Sequence, residues 1–224
     1  MTQPLTSPPT PPLATLKAAI IQVTPFQQNC SIIWDEVSKV GAVVDPGGDI
    51  DVIERAIAET GAKIEKILLT HGHIDHAGGA EDLRAKLNVK IEGPHRADRM
   101  LLQGLEAQGK VYGIAGARNV EPDRWLDEGD QVDVGGHRFE IFHCPGHSPG
   151  SVVLFNRVQK FALVGDVLFA GSIGRTDFPY GDHDALISAI KTKLLPLGDD
   201  IAFICGHGKP GQFGIERQTN PFLI

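Results

Sequence analysis

Four side chains able to ligate a metal fall within six residues of the segment Thr70-His71-Gly72-His73-Ile74-Asp75-His76. The segment follows a short apolar run that reads as a buried strand. A loop leaving a strand can aim alternate side chains in one direction, so His71 and His73 can share one ion while Asp75 and His76 turn towards a second. The spacing differs from the helical H-E-x-x-H pattern, in which two histidines at i and i+4 share one helical face. Three further candidates stand at or just beyond strand ends. They are His147 in Cys144-Pro145-Gly146-His147-Ser148-Pro149-Gly150, Asp166 after Leu163-Val164-Gly165, and His207 in Cys205-Gly206-His207-Gly208. Each has glycine nearby, which allows tight turns and leaves room for an ion, and functional groups of α/β folds gather where strands end. The mixture of imidazole and carboxylate suits Zn²⁺, Fe or Mn²⁺ better than Ca²⁺, which prefers oxygen alone. Two divalent ions against two carboxylates leave a charge of about +2, enough to ionise a bridging water near neutral pH and to polarise a carbonyl or phosphoryl oxygen.

The remaining histidines, His95, His137, His143 and His183, lack such companions and are expected to be surface or core residues. Cys144 and Cys205 read as small buried residues beside the site. No base is suggested next to either that would make it a nucleophile. Trp34 and Trp125 are expected in the core.

The elements that must carry these residues are legible in outline. Residues 17–23, 30–35 and 40–45 are apolar or β-branched runs separated by turn formers, which predicts a strand-rich opening. Residues 49–60 place Ile53, Ala56 and Ile57 on one helical face, with Gly61 as the stop. A strand at 64–70, a helix at 77–87, a strand at 89–92 and a short helix at 94–103 complete an α/β first half. Periodicity fades over 106–130, which reads as a lid-like connection or a linker. The second half restarts with strands at 131–134, 139–144, 151–155 and 161–165, a helix at 184–194 and a strand at 201–204. The simplest organisation is a single domain over 17–224, built of two similar halves, behind a flexible Pro-rich tail at 1–16.

Composition narrows the functional classes. With 42% hydrophobic and 22% charged residues over 224 positions, the chain reads as an ordinary globular protein. A net charge of −7 without a Lys/Arg block argues against nucleic acid as a partner. No apolar run approaches the roughly 18 residues of a spanning helix, so no membrane partner is expected. The first residues show neither the charged n-region nor the apolar h-region of a signal peptide. Three widely spaced cysteines make a disulfide framework improbable, and a cytoplasmic location is expected.

In order and spacing the ligand candidates resemble the signature of the metallo-β-lactamase superfamily, T-H-x-H-x-D-H followed by a His, a bridging Asp and a final His. The resemblance runs from about residue 17 to the last residue. It implies a four-layer αββα sandwich with the metals at one edge between two sheets. It further implies that His71, His73 and His147 hold one metal, that Asp75, His76 and His207 hold the other, and that Asp166 bridges them. Two divalent ions per chain are expected on this basis, Zn first, with Fe or Mn as alternatives. Class B lactamases carry Cys where this chain has Asp166, which disfavours a β-lactamase.

Within the superfamily, Gly165-Asp166-Val167-Leu168-Phe169, the Gly174-Arg175 pair and Gln28-Asn29-Cys30 resemble glyoxalase II, the hydroxyacylglutathione hydrolase, in its short bacterial form. That likeness implies hydrolysis of a glutathione thioester such as S-D-lactoylglutathione, with Asp75 or Asp166 orienting the nucleophile. Arg175 stands where glyoxalase II has a Lys or Arg contacting glutathione, but the aromatic pair that follows there is replaced by Thr176-Asp177. Phe178 and Tyr180 are candidates to line the pocket. Only some seventeen residues follow His207, so the helical region with which classical glyoxalase II grips glutathione is expected to be missing. The run Gly174-Arg175-Thr176-Asp177-Phe178 is also similar to persulfide dioxygenases, which would imply one iron on His71, His147 and Asp166. Nucleic-acid-processing members of the superfamily are disfavoured by the net charge, and a non-enzymatic metal-binding module by the position each metal would leave open to water.

Overall fold

In the computed structural model, which describes residues 15–224, successive residues of the apolar strands point to opposite faces, and each face meets its own core. The first sheet has the order β1 (Leu16–Val23), β2 (Gln28–Asp35), β3 (Val40–Val44), β4 (Lys63–Leu68) and β5 (Lys90–Glu92). β1 to β3 pair antiparallel, and β3 to β5 pair parallel. The parallel pairings require crossovers. These are α1 (Ile50–Thr60), then α2 (Ile74–Ala77) with α3 (Ala80–Leu87). After β5, a 3₁₀ turn at Arg96–Asp98 leads into α4 (Arg99–Leu102) and α5 (Leu105–Tyr112).

The chain then enters β6 (Gln131–Val134), β7 (His137–His143), β8 (Val152–Asn156) and β9 (Phe161–Gly165). A small hairpin, β10 (Leu168–Phe169) with β11 (Ser172–Ile173), precedes α6 (His183–Ala189), β12 (Ala202–Cys205), β13 (Gly211–Gln212) and α7 (Phe213–Thr219). The second sheet has the order β13-β12-β9-β8-β7-β6.

Ile33, Ala42, Val44 and Leu68 of the first sheet pack against Val132, Phe139, Leu154 and Leu163 of the second. Their strand neighbours Ile32, Val43 and Ile67 turn the other way, onto Ile53 of α1, Leu83 of α3 and Leu102 of α4. On the second sheet Val153, Val164 and Phe203 turn outwards to Leu186 of α6 and Phe213 of α7. Helix, sheet, sheet, helix is the resulting sequence of layers, the αββα sandwich expected. Each fully buried Leu, Ile or Phe contributes on the order of 1.5–3 kcal/mol.

Several elements depart from the sequence expectations. The helix expected at 77–87 begins at Ala80 as α3, and a separate helical turn before it, α2, carries Asp75 and His76, so these ligand candidates do not sit on an extended loop. The segment 106–130 contains α5 at its start. Gly109 and the glycines after it dilute that helix's periodicity, yet Gly109 serves close packing, since a Cβ there would lie 2.5 Å from the Cβ of Ala117. The helix expected at 184–194 is α6 followed by a π turn at Ile190–Leu194. The hairpin β10–β11, β13 and α7 were not expected, the first and second being only two residues long per strand. The tail expected at 1–16 lies outside the described residues except for Thr15 and Leu16, and Leu16 begins β1.

Candidate metal centre

The site lies where strands of both sheets end. His71 and His73 follow β4, Asp75 and His76 sit on α2, and His147 is in the loop between β7 and β8. Asp166 directly follows β9, and His207 follows β12. Backbone contacts stitch the two sheets together here. The N–H of Val152 donates to the carbonyl of Thr70 at 2.8 Å, and that of Asn29 to Gly206 at 2.7 Å. The Asn29 side-chain amide donates to the carbonyls of Cys205 at 2.9 Å and Gly208 at 2.8 Å, which fixes the loop bearing His207. Gln28 forms an isolated bridge to His207 itself. The Gln28-Asn29 motif thus acquires a physical role that its sequence alone does not reveal.

All seven candidates converge. His71, His73 and His147 form one cluster, and Asp75, His76 and His207 another. Asp166 spans them, with Oδ1 3.3 Å from His76 Nε2 and Oδ2 3.4 Å from His147 Nε2 and 3.5 Å from His207 Nε2. Asp75 Oδ2 lies 3.2 Å from His207 Nε2.

Outer partners set the tautomers, and so decide which nitrogen carries a lone pair. Thr70 gives its hydroxyl proton to Asp45, so its oxygen accepts from His71 Nδ1–H at 3.2 Å. His147 Nδ1–H donates to the Arg175 carbonyl at 2.9 Å. His76 Nδ1–H donates to Asp45 at 2.9 Å, and His73 Nε2 is hydrogen-bonded at 2.8 Å to the Tyr180 hydroxyl, which can accept or donate. The inward Nε2 atoms of His71 and His147 are therefore lone pairs. His71 Nε2 and His147 Nε2 stand 3.0 and 2.9 Å from His73 Nδ1, and the three nitrogens share at most one proton. Lone pairs at that separation repel unless a cation lies between them. Donors about 2.0–2.1 Å from a tetrahedral ion lie about 3.3 Å apart, close to the spacing seen. His76 Nε2 and Asp166 Oδ1 are buried and without any hydrogen-bond partner, an orphaned pair suited to a second cation. The residues present fit two divalent ions.

The electrostatics divide the site. Burial lowers His71, His73 (to about 3) and His147, which keeps three neutral imidazoles on one side. Burial would lower His76 and His207 too, but it is outweighed by Asp166 and Asp75, helped at His76 by Asp45. Both rise, His207 to about 9. The same contacts overcome the upward pull of burial on Asp75 and Asp166 and hold both carboxyls below their usual range. Protons and a second cation thus compete for the same acidic half.

A cavity of about 790 Å³ opens over this floor. Phe178 and Tyr180 line it, stacked at 5.3 Å, as does Arg175, whose guanidinium lies 4.6 Å above the Phe178 ring. Arg175 also makes a bidentate ion pair with Asp177, both bonds 2.6 Å long. Phe26 and Tyr112, in an edge-to-face pair at 5.6 Å, also line the cavity. Sequence reasoning missed these two, Asp45 and Asp98. Exposed aromatics in a turn and at a helix end were the available signal for the first two. The acids carried none, because only the fold brings them beside the site. Of the histidines set aside, His137 pairs with Asp35 at 3.2 Å, His95 stacks on His143 at 4.0 Å, and His183 is the first residue of α6. Cys144 and Cys205 are free and buried, and burial pushes their thiols up to about 12 and 11.

Comparison with known proteins agrees with this fold. The model of the metallo-β-lactamase superfamily matches residues 23–207. Hydroxyacylglutathione hydrolase GloC of Haemophilus influenzae is 47% identical over 205 residues, covering 91% of this chain and 96% of that one. The structure of TTHA1623 in a di-iron-bound form superposes with a TM-score of 0.82 at 33% identity, over 92% of this chain and 100% of the other. The BLEG-1 B3 metallo-β-lactamase superposes with a TM-score of 0.84, also at 33% identity, over 92% and 99%.

Proposed function

Because this chain belongs to the metallo-β-lactamase superfamily, we propose that it is a metallo-hydrolase that cleaves glutathione thioesters of the S-D-lactoylglutathione kind. The observation that carries the reading is the convergence of seven candidate ligands at the floor of an aromatic-walled cavity, with the Nε2 lone pairs of His71 and His147 turned inward. The 47% identity to a hydroxyacylglutathione hydrolase supports the choice of thioester.

In this reading His71, His73 and His147 hold one ion, Asp75, His76 and His207 the other, and Asp166 both. Divalent ions bound there supply a water nucleophile at neutral pH and positive charge for the carbonyl oxygen. Zinc suits the donors best, and iron or manganese is compatible with them. Asp166 and Asp75, kept ionised, accept hydrogen bonds from the attacking water and orient it. Phe178, Tyr180, Phe26 and Tyr112, which all line the cavity, exclude bulk water around the reacting carbonyl. The departing thiolate is stable enough to leave without a dedicated general acid. Arg175 offers its outer N–H groups to a substrate carboxylate, in competition with Asp177. The three buried free cysteines fit a reducing cytoplasm.

The test is turnover of S-D-lactoylglutathione by protein loaded with Zn²⁺, Fe²⁺ or Mn²⁺, with Asp166→Asn and chelator-treated samples alongside. Hydrolysis lost in both controls is expected. No turnover by a folded, two-metal preparation would overturn the reading, and oxygen uptake with glutathione persulfide would replace it with a dioxygenase.

A further inference from the structure

Asp98 belongs to none of the ligand clusters, yet it is completely buried and its carboxylate is fully engaged. Oδ2 accepts from the Gly72 N–H at 2.8 Å and from the Ser148 hydroxyl at 2.7 Å. Oδ1 accepts from the Gly150 N–H at 2.5 Å. Since Ser148 gives its proton to Asp98, the Ser151 hydroxyl 2.7 Å away donates to Ser148. Gly72 lies between His71 and His73, and Ser148 directly follows His147. One carboxylate therefore grips both segments that present the three imidazoles, although they are 26 and 50 residues from it along the chain.

The grip depends on close approach. A Cβ on Gly150 would lie 2.6 Å from Asp98 Cγ, and one on Gly72 would lie 3.2 Å from Asp98 Cβ. Asp98 is itself anchored, its N–H donating to the His95 carbonyl at 3.0 Å while the His95 N–H donates to Gly150 at 3.1 Å. The turn at 95–98 and the loop at 148–151 are thus tied in both directions. Burying a carboxylate is costly, and its three donors offset that cost without making it a strong source of stability. What it does supply is a fixed distance between two loops.

We propose that Asp98 is a positioning residue for the three-histidine half of the metal centre. It sets the separation between the His71-Gly72-His73 turn and His147, and with it the 2.9–3.0 Å spacing of the three inward nitrogens. The other half is braced separately, His76 by Asp45 and the His207 loop by Asn29. The two halves should therefore respond differently to loss of Asp98. This inference rests on the metal-binding part of the proposed function and not on the substrate.

The experiment measures Co²⁺ affinity by visible spectroscopy against a competing chelator, in two backgrounds. His207→Ala leaves the three-histidine cluster intact, and His73→Ala leaves the other. Asp98→Asn keeps the size but turns an amide donor towards donors. It is expected to weaken Co²⁺ binding about 10- to 100-fold in the first background and less than about threefold in the second. Ser148→Ala removes one donor and leaves Asp98 in place, so it should shift the same background by about three- to tenfold and carries the test if Asp98→Asn does not fold. Equal weakening in both backgrounds would reduce Asp98 to general support of the fold. Unchanged affinity in the first would overturn the proposal outright. Failure of the unsubstituted protein to bind Co²⁺ would remove its premise, whereas binding without thioester turnover would sink the substrate reading and leave the role of Asp98 standing.

Discussion

A single methyl group at Gly206 tests the whole centre without removing a ligand or altering a charge. The backbone there cannot retreat, because the Gly206 N–H donates to the Gly165 carbonyl at 2.8 Å and its own carbonyl accepts from Asn29 at 2.7 Å. A Cβ would lie 2.0 Å from Asp166 Oδ1, 2.5 Å from His76 Cε1 and 3.1 Å from His76 Nε2. The contact with Asp166 falls about 1.4 Å short of ordinary van der Waals separation. Backbone strain does not enter, since Gly206 is not among the residues with positive φ. Relief has to come from Asp166 or His76 moving by more than about 1 Å, and a shift of that size at a reacting centre costs on the order of 10²-fold in rate. Gly206→Ala is therefore expected to bind the ion of the Asp75–His76–His207 half at least about tenfold more weakly and to lose about 100-fold in kcat/KM for the thioester, while the three-histidine half is retained. The assays are metal per chain by mass spectrometry after gel filtration, the melting temperature of chelator-treated protein to show that the fold survives, and steady-state hydrolysis. Two ions per folded chain together with kcat/KM within about threefold of the parent would refute the placement of the second ion between Asp166 and His76.

Two more expectations concern charge. Asp177→Asn frees Arg175 from a pair whose side chains are 64% and 67% exposed, so KM for a glutathione thioester should fall modestly, by about two- to fivefold. An uncharged N-acetylcysteamine thioester should not respond, and equal changes for both substrates would show that Arg175 does not meet the glutathione carboxylates. The second is a pH dependence of the chelator-treated chain. His207 is held at about 9 against its ordinary 6.5, so its protonated form is favoured by folding. That contribution is complete below pH 6.5 and is lost as the pH rises through 9. With the side chain 31% exposed, screening trims it to about 1–2 kcal/mol, to be read from urea unfolding at pH 6.5 and 9.5. Stability that stays flat or rises over that interval would contradict the ion pairing of His207 with Asp75 and Asp166.

The set of candidate ligands is legible in the sequence because metal chemistry restricts both residue type and spacing. Four donors within six residues, and three more beside glycines at strand ends, have few other uses. The strands carrying them were legible for a related reason: alternation such as Ile32 and Ile33, or Ile67 and Leu68, records two different cores. Where the pattern was short or diluted, as in β10, β13 and α5, the sequence carried too few apolar repeats to be read. Contacts between distant segments were beyond it altogether. Asp45 beneath His76, Asn29 across the Cys205–Gly208 loop, Asp98 between the two histidine segments and Phe26 against Tyr112 are ordinary residues at unremarkable positions. Their roles arise only when the two sheets close and bring together groups as many as 179 residues apart. The identity of the candidate ligands is a local property of the chain, because a metal selects its donor atoms one by one. Their tautomers, their spacing and the walls above them belong to the tertiary structure, because only packing sets the distance between segments that the chain itself keeps far apart.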